Sequence, residues 1–263
     1  MGISEVYTEE VHDHLSPYYA NWEPGEPLQL GDYGTLDGDK FDRLGNIRTF
    51  GISFDVRSDK VGDQKKFSSE GTRERSGGAS AEGTVNSVVD AKAELAITFT
   101  RKNSVFFNAA NCTTDSIEDI ADVGRKLIDM YENDERWKKK WVVVTHIVTA
   151  SNTIIAVGTK AQSSVTFEVA GDTKTIDLAD ASIDLKVASR DEGLYTVDSL
   201  NGRGITPLMK LHRITTGFLG LGEAELGPAM ARRPGSAGGE IGLTEPTQSD
   251  RGRTKVLGFE ELS

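Results

Sequence analysis

Cysteine is almost absent from this 263-residue chain: Cys112 stands alone, which excludes an intrachain disulfide framework and suits a reducing compartment. Positive charge is scarce as well. Lys+Arg number 30 against 41 Asp+Glu, giving a net charge of −11 and a pI near 4.9. Such a chain is a poor generic ligand for nucleic acid, whose binding depends on neutralising phosphates, and any contact with anionic lipid needs a local basic patch. No run of 18 apolar residues occurs, so no transmembrane helix is expected. The opening "MGISEVYTEEVHDHL" lacks the basic start and apolar core of a signal peptide, and Val6 stands where a myristoylation pattern takes Ser or Thr. The chain is expected to be soluble as made.

Catalytic signatures are missing too. There is no G-x-G-x-x-G after a strand, no Walker A, no G-x-S-x-G and no H-E-x-x-H. His12 and His14 stand two apart without a partner at ligand spacing and read as ordinary surface histidines rather than a metal site. Asp37, Asp39 and Asp42 lack the order of a calcium loop and fit turn chemistry better. Cys112 could act as a nucleophile with His146 or His212 as its base, but nothing local would lower its pKa, and a small packing residue near a helix start is the better reading. No cofactor, no metal and no enzyme activity are expected.

What is present is alternation. In "GTVNSVVDAKAELAITFTR", residues 83–101, Val85, Val89, Ala91, Ala93, Leu95, Ile97 and Phe99 fall on one side and Asn86, Asp90, Lys92, Glu94 and Thr98 on the other. This is the pattern of an amphipathic strand, and at about 16 residues it exceeds the usual length of about 5 or 6. A shorter alternating run, "RTFGISFDVRS", places Phe50, Ile52, Phe54 and Val56 on one face. Between the two, residues 58–82 are polar and rich in Gly and Ser, as in a mobile loop. Asp37 and Gly38 form a two-residue hairpin signal of type I′.

From Ile117 the apolar spacing becomes helical through Ile120, Gly124, Leu127, Ile128 and Tyr131, with Asp115 and Glu118 spaced as a capping box. Residues 141–169 return to β character and carry Val142, Val144, Val148, Ile155, Val157, Val165 and Phe167, with turns expected at 151–152 or 160–162. Ile183, Leu185 and Val187 alternate in one more strand. A short helix is expected from Pro207, on the spacing of Leu208, Leu211 and Ile214. The rest is dense in Gly and Pro, a tail with Leu219, Leu221, Ile241, Leu243, Leu257 and Phe259 as apolar anchors. The organisation expected is a body over 1–201 and a regulatory tail over 202–263.

Two features suit a membrane. Spanning strands need about 9–11 alternating residues, and only closed barrels satisfy every backbone group in lipid, so many copies of one chain with two such hairpins could close a ring. The run "RWKKKW" sets Arg136, Lys138, Lys139 and Lys140 beside Trp137 and Trp141, which fits headgroup phosphates and the interfacial depth preferred by indoles. Taken alone, it better fits a helix C-terminus decorated with lysines whose aromatics pack on the body. Long curved strands of an ordinary antiparallel sheet explain the alternation equally well.

The order of these pieces resembles the pore-forming domain of gasdermins. "LGDYGTL" looks like that family's Leu-Gly-Asp stretch, "AEGTVNSVVDAKAELAITF" like the return strand of its first hairpin, "WVVVTHIVTAS" like the start of its second, and "KTIDLADASIDLKV" like a later strand. The likeness covers roughly residues 28–190 and departs from the family in the acidic, Pro-containing start and the acidic net charge. It implies an α+β fold, a twisted and mainly antiparallel sheet with packed helices. It also implies homo-oligomerisation, or assembly with a related variant chain, and pores in anionic membranes that cause cell death in immune defence. The chain would be cytoplasmic when inactive and at the membrane when active. An activating protease would cut an exposed stretch such as "AMARRPGSAGG". The alternative is a non-enzymatic β-rich assembly or binding protein forming soluble oligomers.

Overall fold

The computed structural model describes residues 2–59, 62–78, 93–169, 176, 178, 185–199, 204–218 and 255–263. The fold is α+β, two helices on mainly antiparallel sheet. The first helix, α1 (Ile3–Leu15), lies where the sequence suggested only a mixed entry. Its signal is confined to Val6, Tyr7 and Val11, which turn one buried stripe inward from an otherwise acidic surface, while Glu5 accepts the Gly2 N–H at 2.8 Å. His12 and His14 are therefore helical; the His12 ring stacks on Tyr19 and that of His14 on Phe67.

After β1 (Tyr19–Ala20) comes the expected hairpin, β2 (Asp32–Asp37) and β3 (Lys40–Asn46). Its turn is one residue later than expected, at Gly38 and Asp39, because Asp37 pairs with Lys40. Gly38 has φ +59° and Asp39 does not have positive φ, so Gly takes the first central position of a type II′ arrangement rather than I′.

The strand expected at 50–57 does not form. Ile47–Phe50 is a 3-10 turn capped by the Asn46 side chain, which accepts the Arg48 N–H at 3.1 Å, and Gly51 then reverses the chain at φ +82°. Phe50, Ile52 and Phe54 pack into the core with Ile47 and Leu30, and only Val56 begins a strand, β4 (Val56–Ser58). The alternation there comes from successive core contacts of an irregular segment. The loop expected at 58–82 contains two strands, β5 (Asp63–Ser68) and β6 (Thr72–Gly78).

Then follow β7 (Ala93–Phe99), β8 (Ser104–Ile117), α2 (Ile120–Glu132), β9 (Val142–Gly158), β10 (Ser163–Val169), β11 (Leu185–Arg190), β12 (Leu194–Ser199), β13 (Ile205–Phe218) and β14 (Lys255–Glu261). The α2 helix starts four residues later than the capping-box reading: Asp119 is the cap, accepting the Asp122 N–H at 2.8 Å, and Asp115 is still in β8. The helix expected at Pro207 is strand β13. Val85, Val89, Ala91, Ile183 and residues 219–254 lie outside the described residues.

β9 is the axis of a ten-stranded sheet. One of its edges carries β8 and then β2; the other carries β13 and then β12. β5 and β4 extend the sheet beyond β8, and β14 and β1 extend it beyond β13. One face is covered by α1, whose Val6, Tyr7 and Val11 meet Val105, Phe107, Ala109, Ile155 and Val157. On the opposite face α2 buries Val123, Leu127 and Met130 against Ile117, Val143 and Ile214. Beside it, a four-stranded sheet in the order β6, β7, β10, β11 covers Phe106, Ile154 and Ala156.

Candidate functional site

The small sheet is the large sheet folded back on itself. β5 leads into β6 through 69–71, β7 into β8 through 100–103, β9 into β10 through 159–162, and β11 into β12 through 191–193. In the large sheet the four strands lie in the order β5, β8, β9, β12; their continuations in the small sheet lie in the same order, β6, β7, β10, β11. Hydrogen bonds run through the corners: Thr100 N–H donates to Gly71 O at 2.7 Å, Asn103 N–H to Gly158 O at 2.7 Å, Gln162 N–H to Phe99 O at 2.7 Å and Thr159 N–H to Gly193 O at 2.8 Å.

Each corner turns on one residue in the left-handed region. These are Gly71 (φ +91°), Asn103 (φ +65°), Gln162 (φ +62°) and Gly193 (φ +96°). Glycine reaches this region freely and Asn tolerates it; for Gln it is strained. At Gly71 a Cβ would lie 2.7 Å from Ser104 Oγ and 2.9 Å from Arg101 Cβ, so a side chain there meets steric as well as torsional resistance.

The small sheet is amphipathic. Along β7, Ala93, Leu95, Ile97 and Phe99 are buried and alternate with half-buried Glu94, Ala96 and Thr98. In register across to β10, Ile97 faces Val165 and Leu95 faces Phe167, and the whole apolar side rests on Phe106, Ile154 and Ala156. Glu94 lies directly opposite Glu168 on the outer side, a like-charge pair that weakens this end of the pairing. Lys66 and Ser68 on β5 both reach Glu74 on β6, at 2.6 Å each, and clasp the two layers near the first corner.

Beyond residue 57, the described apolar positions expected to face a membrane divide into two groups. Ala93, Leu95, Ile97, Phe99, Val165 and Phe167 lie together on the inner face of the small sheet. Val142, Val144, Val148, Ile155 and Val157 lie on β9, paired on both edges and buried. The hairpin partners therefore also differ from the sequence reading: β6, not 50–57, pairs with β7, and β11 pairs with β10. The missed strands β6 and β8 left no clean alternation. β8 is buried almost continuously from Ser104 to Ala110 because both of its faces are covered.

The basic run lies between α2 and β9. Trp137 is buried, with Tyr33 at 5.3 Å, Phe50 at 6.2 Å and Trp141 at 5.2 Å between ring centroids, and is part of the core in this state. Lys138 lies over the Trp141 ring at 5.5 Å. Arg136 pairs with Asp134. Lys139 and Lys140 line a cavity of about 580 Å³ together with Arg213, over a floor of Leu36, Val142 and Ile214. Arg213 carried no sequence signal, since it joins the lysines only through the pairing of β13 with β9. Cys112 is buried, its Sγ on Ala109 O, and burial pushes the thiol up to about 11, consistent with an inert packing role.

No protein-family model matches the chain. No curated protein matches it. Among solved structures it is similar to the cryo-EM structure of the gasdermin A3 membrane pore, at 12% identity over 82% of this chain and 91% of that chain, with a TM-score of 0.26. At that score no residue of one chain can be set against a residue of the other.

Proposed function

We propose that this chain is a non-enzymatic pore-forming protein that straightens its four corners on a membrane and assembles with other copies into a β-barrel. The observation that carries the proposal is the fold-back itself: four strands pass through a single line of corners and keep their order on both sides. Straightened, 93–117 and 142–169 become single strands, each flanked by a shorter partner. At about 3.3 Å per residue both exceed the roughly 30 Å of a bilayer core. Two such hairpins per copy would supply walls, and many copies would close the ring that lipid requires.

The same motion uncovers Leu95, Ile97, Phe99, Val165 and Phe167. Exposing each to water costs about 1.5–3 kcal/mol, so opening in water is strongly unfavourable and needs acyl chains to rebury the surface. Lys139, Lys140 and Arg213 form the local basic patch that an acidic chain needs for anionic headgroups, with Arg136 and Lys138 alongside. Trp137 and Trp141 serve the fold beneath it, with Trp141 also forming a ring for Lys138. Residues 202–263 act as the regulatory part, and a protease cut or a variant chain is the trigger.

The test is dye release from anionic and from neutral vesicles with the full chain, with and without limited proteolysis, alongside electron microscopy. Leakage confined to anionic vesicles, with ring-shaped assemblies, is expected. Absence of leakage from every lipid mixture refutes the proposal, and regular oligomers formed without lipid favour a soluble assembly instead.

A further inference from the structure

A pair of histidines beneath the C-terminal strand is used by none of the foregoing. β13 and β9 pair Lys210 with His146 and Leu211 with Val144, which leaves Thr145 as an extra residue on β9. A bulge of this kind re-aims side chains. Here it brings the fully buried Thr145 hydroxyl to 2.9 Å from His212 Nδ1, 3.1 Å from His146 Nδ1 and 3.3 Å from Lys210 O. The two imidazoles lie nearly parallel, 6.4 Å apart. One hydroxyl with one proton and two lone pairs serves both rings in their neutral forms.

β14 closes over this cluster. Glu261 is the register partner of His212, and the Phe259 ring lies 5.3 Å from the His212 ring before packing onto α2 at Gly124. We infer that Thr145, His146 and His212 form an acid-sensitive latch: neutral imidazoles hold β14 on β13, and proton uptake on the buried ring loosens β14 from the sheet edge. This device stands apart from pore formation and holds whether or not the corners straighten.

The charged groups around the latch are His146 from β9, Lys210 from β13, Glu261 from β14 and Asp59 from the segment after β4. Burial is the largest influence on His212 and pushes it down to about 4; Glu261 opposes this, while His146 and Lys210 reinforce it. Burial and Lys210 lower His146 as well, against Glu261 and Asp59. The sign follows from that depression. The docked strand favours the neutral ring, so docking is at full strength above the ordinary value of 6.5 and weakens as pH falls below it, levelling off near 4. With a released ring returned fully to 6.5 and the docked ring near 4, the opening constant of β14 would be about 30-fold larger at pH 5 than at pH 7.5; His146 and Lys210 stay beside the released ring, so this is the upper limit of the effect.

Hydrogen exchange of the 255–261 amides, corrected for intrinsic rates and followed with the full chain from pH 7.5 to 4.5, tests the latch. The expected result is a loss of protection of up to that size in β14, while the β8 and β9 amides stay protected, and a flat profile in His212→Gln. His146→Gln removes a repelling neighbour, so its profile should move to higher pH; it also decides the matter should His212→Gln fail to fold, as judged by circular dichroism. Protection of β14 that is independent of pH, or a pH response left in place by both variants, overturns the inference.

Discussion

Four residues hold the corners in the left-handed region, and two of them, Asn103 and Gln162, pay a torsional penalty that glycine would not. A non-glycine residue there costs about 1–2 kcal/mol, with Asn at the low end and β-branched residues at the high end. In a straight strand the same positions are extended and carry no such penalty. Paired substitution therefore biases one state. Asn103→Gly with Gln162→Gly relieves roughly 2 kcal/mol in the folded-back state, whereas Asn103→Val with Gln162→Val adds about as much, the total spread being about 4 kcal/mol. Both states are ordered, so the chain-entropy cost of glycine falls on each and largely cancels.

At about 1.4 kcal/mol per factor of ten, the two variants should differ by nearly a thousandfold in the balance between folded-back and straight forms. Vesicle leakage reads this balance as the protein concentration for half-release, and urea denaturation reads the soluble state. The glycine pair should leak less and the valine pair more; in urea the glycine pair should unfold above the valine pair, by less than about 4 kcal/mol because the extra freedom of glycine in the unfolded chain offsets part of its relief. If the two pairs separate in urea as calculated but leak identically, the corners are not the moving part and the fold-back is merely architecture.

The remaining predictions concern packing and the basic patch. A Cβ on Gly124 would lie 2.7 Å from Phe259 Cβ, so Gly124→Ala, which in an open helix gains about 1 kcal/mol, should instead lose stability and deprotect β14; adding Phe259→Ala keeps the clashing Cβ and should not restore the gain. Trp137→Ala should cost about 3–5 kcal/mol in denaturation because it empties a buried aromatic site. Lys140→Gln should leave stability within about 0.5 kcal/mol and weaken binding to anionic vesicles by about 1 kcal/mol, read by co-sedimentation. Leu95→Asp places an unpaired charge at a position only 2% exposed and should cost about 3 kcal/mol or more, so loss of leakage in that variant reports folding before insertion.

Period-two patterning is readable where a strand has one wet face, and that is where the sequence served best. β7 alternates because its outer side, Glu94 and Thr98, meets solvent while Leu95, Ile97 and Phe99 meet the large sheet. Where both faces are covered the pattern dissolves. In β13, Leu208, Met209 and Leu211 are all buried, against different cores, and the spacing of Leu208, Leu211 and Ile214 by threes imitates a helix. Pro207 strengthened the imitation, yet it lies where β13 shifts register against β9, a strand position at which proline's missing N–H is tolerated.

The same cause explains the uneven alternation of 141–169. Val148 and Ala150 share a core with Ile155 and Val157, so the side-chain parity of β9 resets between 150 and 155; on β8 it resets between Ala109 and Cys112, beside Asn111 at φ +50°. The two resets lie at one level of the sheet and leave the register of β8 with β9 intact, which is why Ser151 and Asn152 read as a turn but are strand. The basic run was visible as composition, but its partner Arg213 and the bulge at Thr145 are products of long-range pairing, 73 residues away for Lys140 and 67 for Thr145 with His212. The corners carry the weakest local signal of all, a single Gly, Asn or Gln each. Their significance comes only from four of them lying on one line, and that line is a property of strand order, which no window along the chain contains.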